Sequence, residues 1–325
     1  MTHASTRTLA EDHDTLLHGA GLLDRSERGK LALTGAGAVE FLNGQVTNEL
    51  AGLQAGEGRY AAFLTHKGRM LGDMRVLAVG ARAAGQPPSE LLLDTERVAL
   101  QALFDMIGRF KVGYDVELHK HTLERSLLSL IGPHADAAAG AEALARAEHS
   151  SAPAVIDGVD ALLVRTDVGI DLLCESADGE ALVEALCARG AQPIAPEAAE
   201  CLRIERGVPR YGLDLDDTVI PQEAGLNERA VSFTKGCYVG QETVARLFYR
   251  GKPNRHLRGL RLDSPAGHGE QLRLGERVVG AVASSTVSPT LGPIALALVR
   301  REAEPGARLS VGEQGNGAAL VQLPF

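Results

Sequence analysis

The chain has 325 residues with a formal net charge of −9; 45% of them are hydrophobic, with seven phenylalanines, five tyrosines and no tryptophan. That length is too great for one hydrophobic core, and that composition excludes a disordered chain beyond the first dozen residues. The net acidity excludes a protein that coats DNA through its overall field and leaves only local basic patches for phosphate.

In chain order, KLALTG at 30–35 predicts a strand, and GAVEFLNGQVTNEL at 37–50 carries Val39, Phe41, Leu42, Val46 and Leu50 at helical spacing. RYAAFLT (59–65), RMLGDMRVLAVG (69–80) and LLLDT (91–95) predict three strands, the first two joined through the turn HKG. RVALQALFDMIGRF (97–110) predicts an amphipathic helix, and VGYDVEL (112–118) alternates like a strand. Next, SLLSLIGP, the alanine-rich stretch 134–148, DALLVRT, GIDLLCE and GEALVEALCARG predict strand, helix, strand, strand and helix. That order is most of a split βαβ, ferredoxin-like unit. A helix from Pro196 carries RIERG near its end, and from His256 onward short strands between Gly and Pro turns predict a small β-barrel.

The N-terminal MTHASTRTLAEDHD lacks a hydrophobic signal core, and the longest apolar runs, such as IALALV, are far too short to span a bilayer. A cytoplasmic protein with no membrane partner is the expectation. Cys174, Cys187, Cys201 and Cys237 form no CxxC pair, which predicts reduced thiols with no metal site and no resident iron–sulfur cluster. No P-loop, GxGxxG after a strand, HExxH or GxSxG is present, so nucleotide-dependent and hydrolytic enzymes lose ground.

The least generic stretch is 202–255, which contains KGCYVGQE at 235–242. A thiol reacts as its thiolate, and a neighbouring cation or a helix N-terminus favours that form. Lys235 lies two residues before Cys237, and QETVARLFYR from 241 predicts a helix. Gly236 and Gly240 would permit a tight backbone path. Two readings of Cys237 stand side by side, a reactive thiol and a small buried hydrophobe. The other three cysteines sit in apolar patterns and are read as packing. Arg246, Arg250, Lys252, Arg255, Arg258 and Arg261 make 246–261 locally basic, as a polyanion site or as a solvated face. Glu205 is either an acceptor for the amino-amide edge of a heterocycle or a surface ion-pair partner of Arg203 or Arg206.

KGCYVGQE, preceded by RIERGVPRYGLDLDDTVIPQEAGL, resembles the YgfZ group of folate-binding proteins, relatives of the glycine-cleavage aminomethyltransferase, or T-protein. LTGAGAVEFLNGQVTNEL and FLTHKGRMLGDMRV resemble the opening motifs of the same superfamily, so the likeness spans nearly the whole chain. It implies an α+β fold with three parts around a central channel, containing ferredoxin-like units and a C-terminal β-barrel. The parts expected are 1–50 with 120–230, 51–119 with 231–253, and 254–325. It implies tetrahydrofolate or a one-carbon derivative as cofactor, with Lys235 and Cys237 as the reactive pair and Glu205, Gly236, Gly240, Gln241 and Glu242 as folate-site residues. It further implies an accessory role in maintaining iron–sulfur enzymes and modifying transfer RNA, with iron–sulfur proteins or transfer RNA as partners through 246–261.

Aminomethyltransferases tend to read KGGxxDD where this chain reads KGRMLGD, so Gly72 replaces the first acid unless Asp73 serves in its place. The accessory role is therefore the leading expectation. A folate-dependent aminomethyl- or methyltransferase, and an RNA- or protein-binding module, are the alternatives.

Overall fold

The computed structural model describes residues 7–81 and 88–325. The chain groups into two compact units: Met1–Leu64, Leu71–Ala199 and Arg229–Val239 make the first, and Thr65–Met70, Glu200–Glu228 and Gly240–Phe325 the second.

In order, the elements are α1 (Leu9–His18), β1 (Gly21–Asp24), β2 (Gly29–Thr34), α2 (Ala38–Asn43), β3 (Gly58–Leu64), β4 (Met70–Ala81), β5 (Pro88–Thr95), α3 (Leu100–Phe110) and β6 (Glu117–Lys120). There follow β7 (Arg125–Ile131), α4 (Ala135–Ala139), β8 (Ser151–Ile156), β9 (Val159–Arg165), β10 (Gly169–Glu175), α5 (Gly179–Ala188), β11 (Gln192–Pro193) and α6 (Pro196–Glu205). The chain ends with α7 (Asn227–Ala230), α8 (Gln241–Arg250), β12 (Arg255–Leu262), β13 (Gln271–Leu274), β14 (Arg277–Ser288), β15 (Gly292–Arg300), β16 (Arg308–Val311) and β17 (Asn316–Val321).

The first unit holds a five-stranded sheet of order β3-β4-β5-β2-β6 and a six-stranded sheet of order β11-β1-β7-β10-β9-β8. One apolar cluster joins Ala32, Leu77 and Leu92 of the first sheet to Leu127, Val164 and Leu173 of the second. A buried ion-pair network crosses the same layer: Arg75 reaches Asp94 of β5 and Asp171 of β10, each at 2.5 Å, while Arg28 also holds Asp94. Those two guanidiniums hold the Asp94 carboxyl well below the usual range against the cost of its burial.

In the second unit β12-β15-β14-β13-β16-β17 closes into a six-stranded barrel. Alternate residues, among them Leu260, Leu262, Ala295, Ala297 and Val299, fill its interior, as a closed antiparallel sheet requires. The fold is thus the expected combination of mixed α+β sheets and a C-terminal barrel. No helix among the described residues is long and apolar enough to cross a membrane.

Several local expectations are corrected. Helix α4 covers Ala135–Ala139 and not 134–148, because Gly140 turns left-handed at φ +66° and ends it. Helix α2 stops at Asn43, and Val46 instead bridges to Phe63. The strand expected at 112–118 is displaced to Glu117–Lys120, since Gly113 at φ +92° bends the chain first. Strand β8 was not anticipated from the sequence; its Pro153 is tolerated because β8 is the last strand of its sheet. Order also begins within the first dozen residues, where Thr8 and Glu11 form a capping box on α1; residues 1–6 lie outside the described residues.

Candidate functional site

The KGCYVGQE motif passes from one unit to the other along the chain: Lys235, Gly236 and Cys237 belong to the first, Gly240, Gln241 and Glu242 to the second, as does Glu205.

In the first unit, the segment before the motif is stapled to the loop that follows α2. Thr47 donates its hydroxyl to the Ala230 carbonyl and accepts the Ala62 amide, and the Ser232 amide bonds to the Thr47 carbonyl. This places Lys235, only 7% exposed, inside a ring of oxygens. Its ammonium donates to the Asn43 carbonyl at 2.7 Å, Asn43 Oδ1 at 3.0 Å, the Val46 carbonyl at 2.9 Å and the Asn48 carbonyl at 2.6 Å. It also lies 5.3 Å from the centre of the buried Tyr238 ring. Burial lowers the ammonium to about 8, whereas the nearby Glu49 and the four oxygens favour its charged form.

The expected lysine-to-thiol partnership is therefore redirected: Lys235 turns its donors to the 43–48 loop, and Cys237 stands exposed. Gly236 has open space where a side chain would begin, so no close approach requires glycine there. Gly240 is different: at φ +85° it forms the left-handed turn that starts α8. The other cysteines match the packing expectation. Burial pushes the Cys174 thiol up to about 11 and raises that of half-buried Cys187. Burial, reinforced by the Glu205 charge, pushes Cys201 up to about 12. All four cysteines are free.

A second cluster adjoins the Lys235 loop. Asn48 donates its amide to the carbonyls of Tyr60 and Arg229, and the Arg229 guanidinium lies 5.4 Å from the centre of the Tyr60 ring. Arg229 is held from its other side by Glu148. The Tyr60 hydroxyl is hydrogen-bonded to Asp73, which is 5% exposed. Burial raises the Asp73 carboxyl to about 6, opposed by the Tyr60 hydrogen bond and assisted by the charge of Glu96. Such a group can hold or release a proton near neutral pH. Beside it, Gly72 adopts φ +158°, and a side chain there would begin 2.6 Å from both the Phe63 ring and the Ala99 methyl. An acid at 72 does not fit this packing; the acid of the segment is Asp73.

In the second unit Glu205 ends α6. Its Oε1 accepts from Ser288 Oγ and lies 3.5 Å from Thr290 Oγ1 and 3.6 Å from Cys201 Sγ. Its half-buried carboxylate is thus oriented by the barrel strand β14. Gln241 is half-buried in the first turn of α8, and Glu242, beside it, lines an open groove together with Arg246 and Arg255.

Sequence reading missed Asn43, Asn48, Tyr60 and Arg229. The available signal was LNGQVTN, whose Asn and Gly content marks a loop and not the helix that its apolar spacing suggested.

Residues 2–235 match the family described as the GCVT N-terminal domain, and 255–325 match the glycine cleavage T-protein C-terminal barrel domain. An aminomethyltransferase of Rubrobacter xylanophilus is 31% identical over 97% of this chain and 85% of its own length. One of Geobacillus kaustophilus is 30% identical over 98% of this chain and 90% of its own. The crystal structure of the glycine cleavage system aminomethyltransferase T from Bartonella henselae superposes with a TM-score of 0.85 at 24% identity, covering 98% of this chain and 89% of that one, and supports the fold. By sequence and by fold, then, the chain belongs to the GCVT family, whose N-terminal domain and C-terminal barrel it carries in order.

Proposed function

We propose that this protein binds a reduced folate, tetrahydrofolate or a one-carbon derivative, and takes part in folate-linked transfer of an aminomethyl group. The observation that carries this reading is the end-to-end similarity to proteins named aminomethyltransferase, combined with a buried carboxyl, Asp73, raised to about 6 beside Tyr60. The residues fit the cofactor's chemistry. Asp73 would hold a proton at its carboxyl close to neutral pH, with Tyr60 keeping it in place. The folate, when bound, supplies the nitrogen that carries the one-carbon unit.

A second reading, a YgfZ-type accessory protein that supports iron–sulfur enzymes and transfer RNA modification, is favoured by two observations: the packing that bars an acid at Gly72, and the exposure of Cys237 within KGCYVGQE. The similarities to known proteins support the transferase reading more than this one. Localisation to the cytoplasm and the three-part division of the chain belong to the same family of proposals.

Calorimetry with tetrahydrofolate, followed by turnover with an aminomethyl donor, separates the readings. Binding with turnover that Asp73→Asn abolishes supports transfer. Binding without turnover supports the accessory role, and an absence of heat at high ligand concentration removes both.

A further inference from the structure

The second unit contains an open groove of about 750 Å³ whose lining is strongly basic. Lys67 and Arg69 enter it from the loop before β4, Arg246 from α8, Arg255 from the start of β12 and Arg300 from the end of β15, with His66 alongside. Only Glu223 and Glu242 oppose these five cations in a chain whose net charge is −9. One of the two acids is already committed, because Glu223 grips Arg255 through both carboxylate oxygens, at 3.0 and 2.8 Å. Lys67, Arg69, Arg246 and Arg300 therefore face the groove with Glu242 as the one remaining carboxylate of its lining.

The walls are built and not incidental. Arg255 is fixed a second time by the Thr218 carbonyl at 2.8 Å. The 65–70 loop is closed by paired bonds between Thr65 and Arg69 and tied to Val219 through the Met70 amide. Gly68, at φ +78°, packs so closely that a side chain would begin 2.8 Å from Thr243 Cβ on α8. Lys67 and Arg69 are thereby held opposite the first turns of α8. Thr218, Thr243 and Asn254 add hydroxyl and amide groups to the lining.

We propose that this groove binds a small molecule bearing a diphosphate or triphosphate group. Its volume is that of a small-molecule site and not of an extended tract. Arginines offer paired N–H donors that match phosphate oxygens, and neutral hydroxyls and an amide supply further hydrogen-bonding groups. The proposal does not rest on Asp73 or Tyr60, which carry the folate reading; Glu242, which the family resemblance implies at a folate site, here lines the groove.

The test is titration calorimetry of pyrophosphate and tripolyphosphate into the full chain. Expected are binding that weakens steeply with added salt and a loss of about tenfold or more in affinity in Arg246→Ala and Arg300→Ala. Arg250→Ala, which removes a cation of α8 outside the groove, should bind as the wild type does. Thermal unfolding of each variant checks that it is folded. The proposal is overturned by an absence of heat at millimolar pyrophosphate, by equal weakening in Arg250→Ala, by equal affinity for citrate, or by tight binding confined to single-stranded RNA.

Discussion

Two regions rich in cations sit in this protein under opposite conditions. Lys235 is buried, and four oxygens of its own chain surround its ammonium; Lys67, Arg69, Arg246 and Arg300 are exposed around a groove with a single uncommitted acid among its lining residues. A buried cation without partners costs several kcal/mol, so the first arrangement exists to hold the backbone. Exposed cations cost little and gain little, so the second is a feature of the surface that acts only when an anion arrives.

The largest effect expected from this contrast is in Lys235→Met, which strips one donor group from four oxygens at once. It should destabilise the fold by about 3 kcal/mol in chemical denaturation. A cost comparable to that of an exposed lysine would break the contrast.

Asp73→Asn sharpens it with the opposite sign. The Asp73 carboxyl is raised in the folded state from 3.8 to about 6, so its protonation favours the native state fully below pH 3.8 and this contribution is lost as pH rises through 6. The wild type therefore loses up to about 3 kcal/mol across that window, and the asparagine variant should lack that dependence. Parallel pH profiles of unfolding would show that Asp73 is not held as described.

Gly240→Ala forces a side chain into the left-handed start of α8 and should cost about 1 kcal/mol, whereas Gly236→Ala, with open space and no such conformation, should be close to neutral. Arg246→Ala should change stability least, by less than about 0.5 kcal/mol, while affecting anion binding most. Alkylation gives a last check: Cys237 should be modified in the native protein while Cys174 and Cys201 resist until unfolding, as buried thiols do.

Local patterns made much of the fold legible. QETVARLFYR begins and ends as α8 does, because its amphipathic spacing and the flanking Gly240 and Gly251 act within a few residues. The barrel was legible from regular short strands between Gly turns. The alanine-rich stretch misled because alanine propensity is a weak preference that one left-handed glycine overrode. The site was half legible. KGCYVGQE singled out the loop that carries Lys235, yet the groups that Lys235 bonds lie nearly two hundred positions earlier in the chain, beyond any local pattern. The groove was hidden likewise: its cations come from 66–69, 246, 255 and 300, and only those of the basic run were visible as a cluster.

The interleaving of the two units along the chain has a consequence for biosynthesis. The first unit includes Arg229–Val239, and the second includes Thr65–Met70, so neither is one uninterrupted stretch. A nascent chain leaving the ribosome must hold its two sheets without the Lys235 anchor until most of the polypeptide has been made. A chain ended after Val239 would keep the first unit but also carry Thr65–Met70 and Glu200–Glu228 without the barrel to which they belong. One begun at Thr65 would keep the second unit but also carry Leu71–Ala199 stripped of β1 and β2, with their sheet partners left bare. Truncation is therefore a poor route to separating the two halves, and point substitution within the intact chain is the sound one.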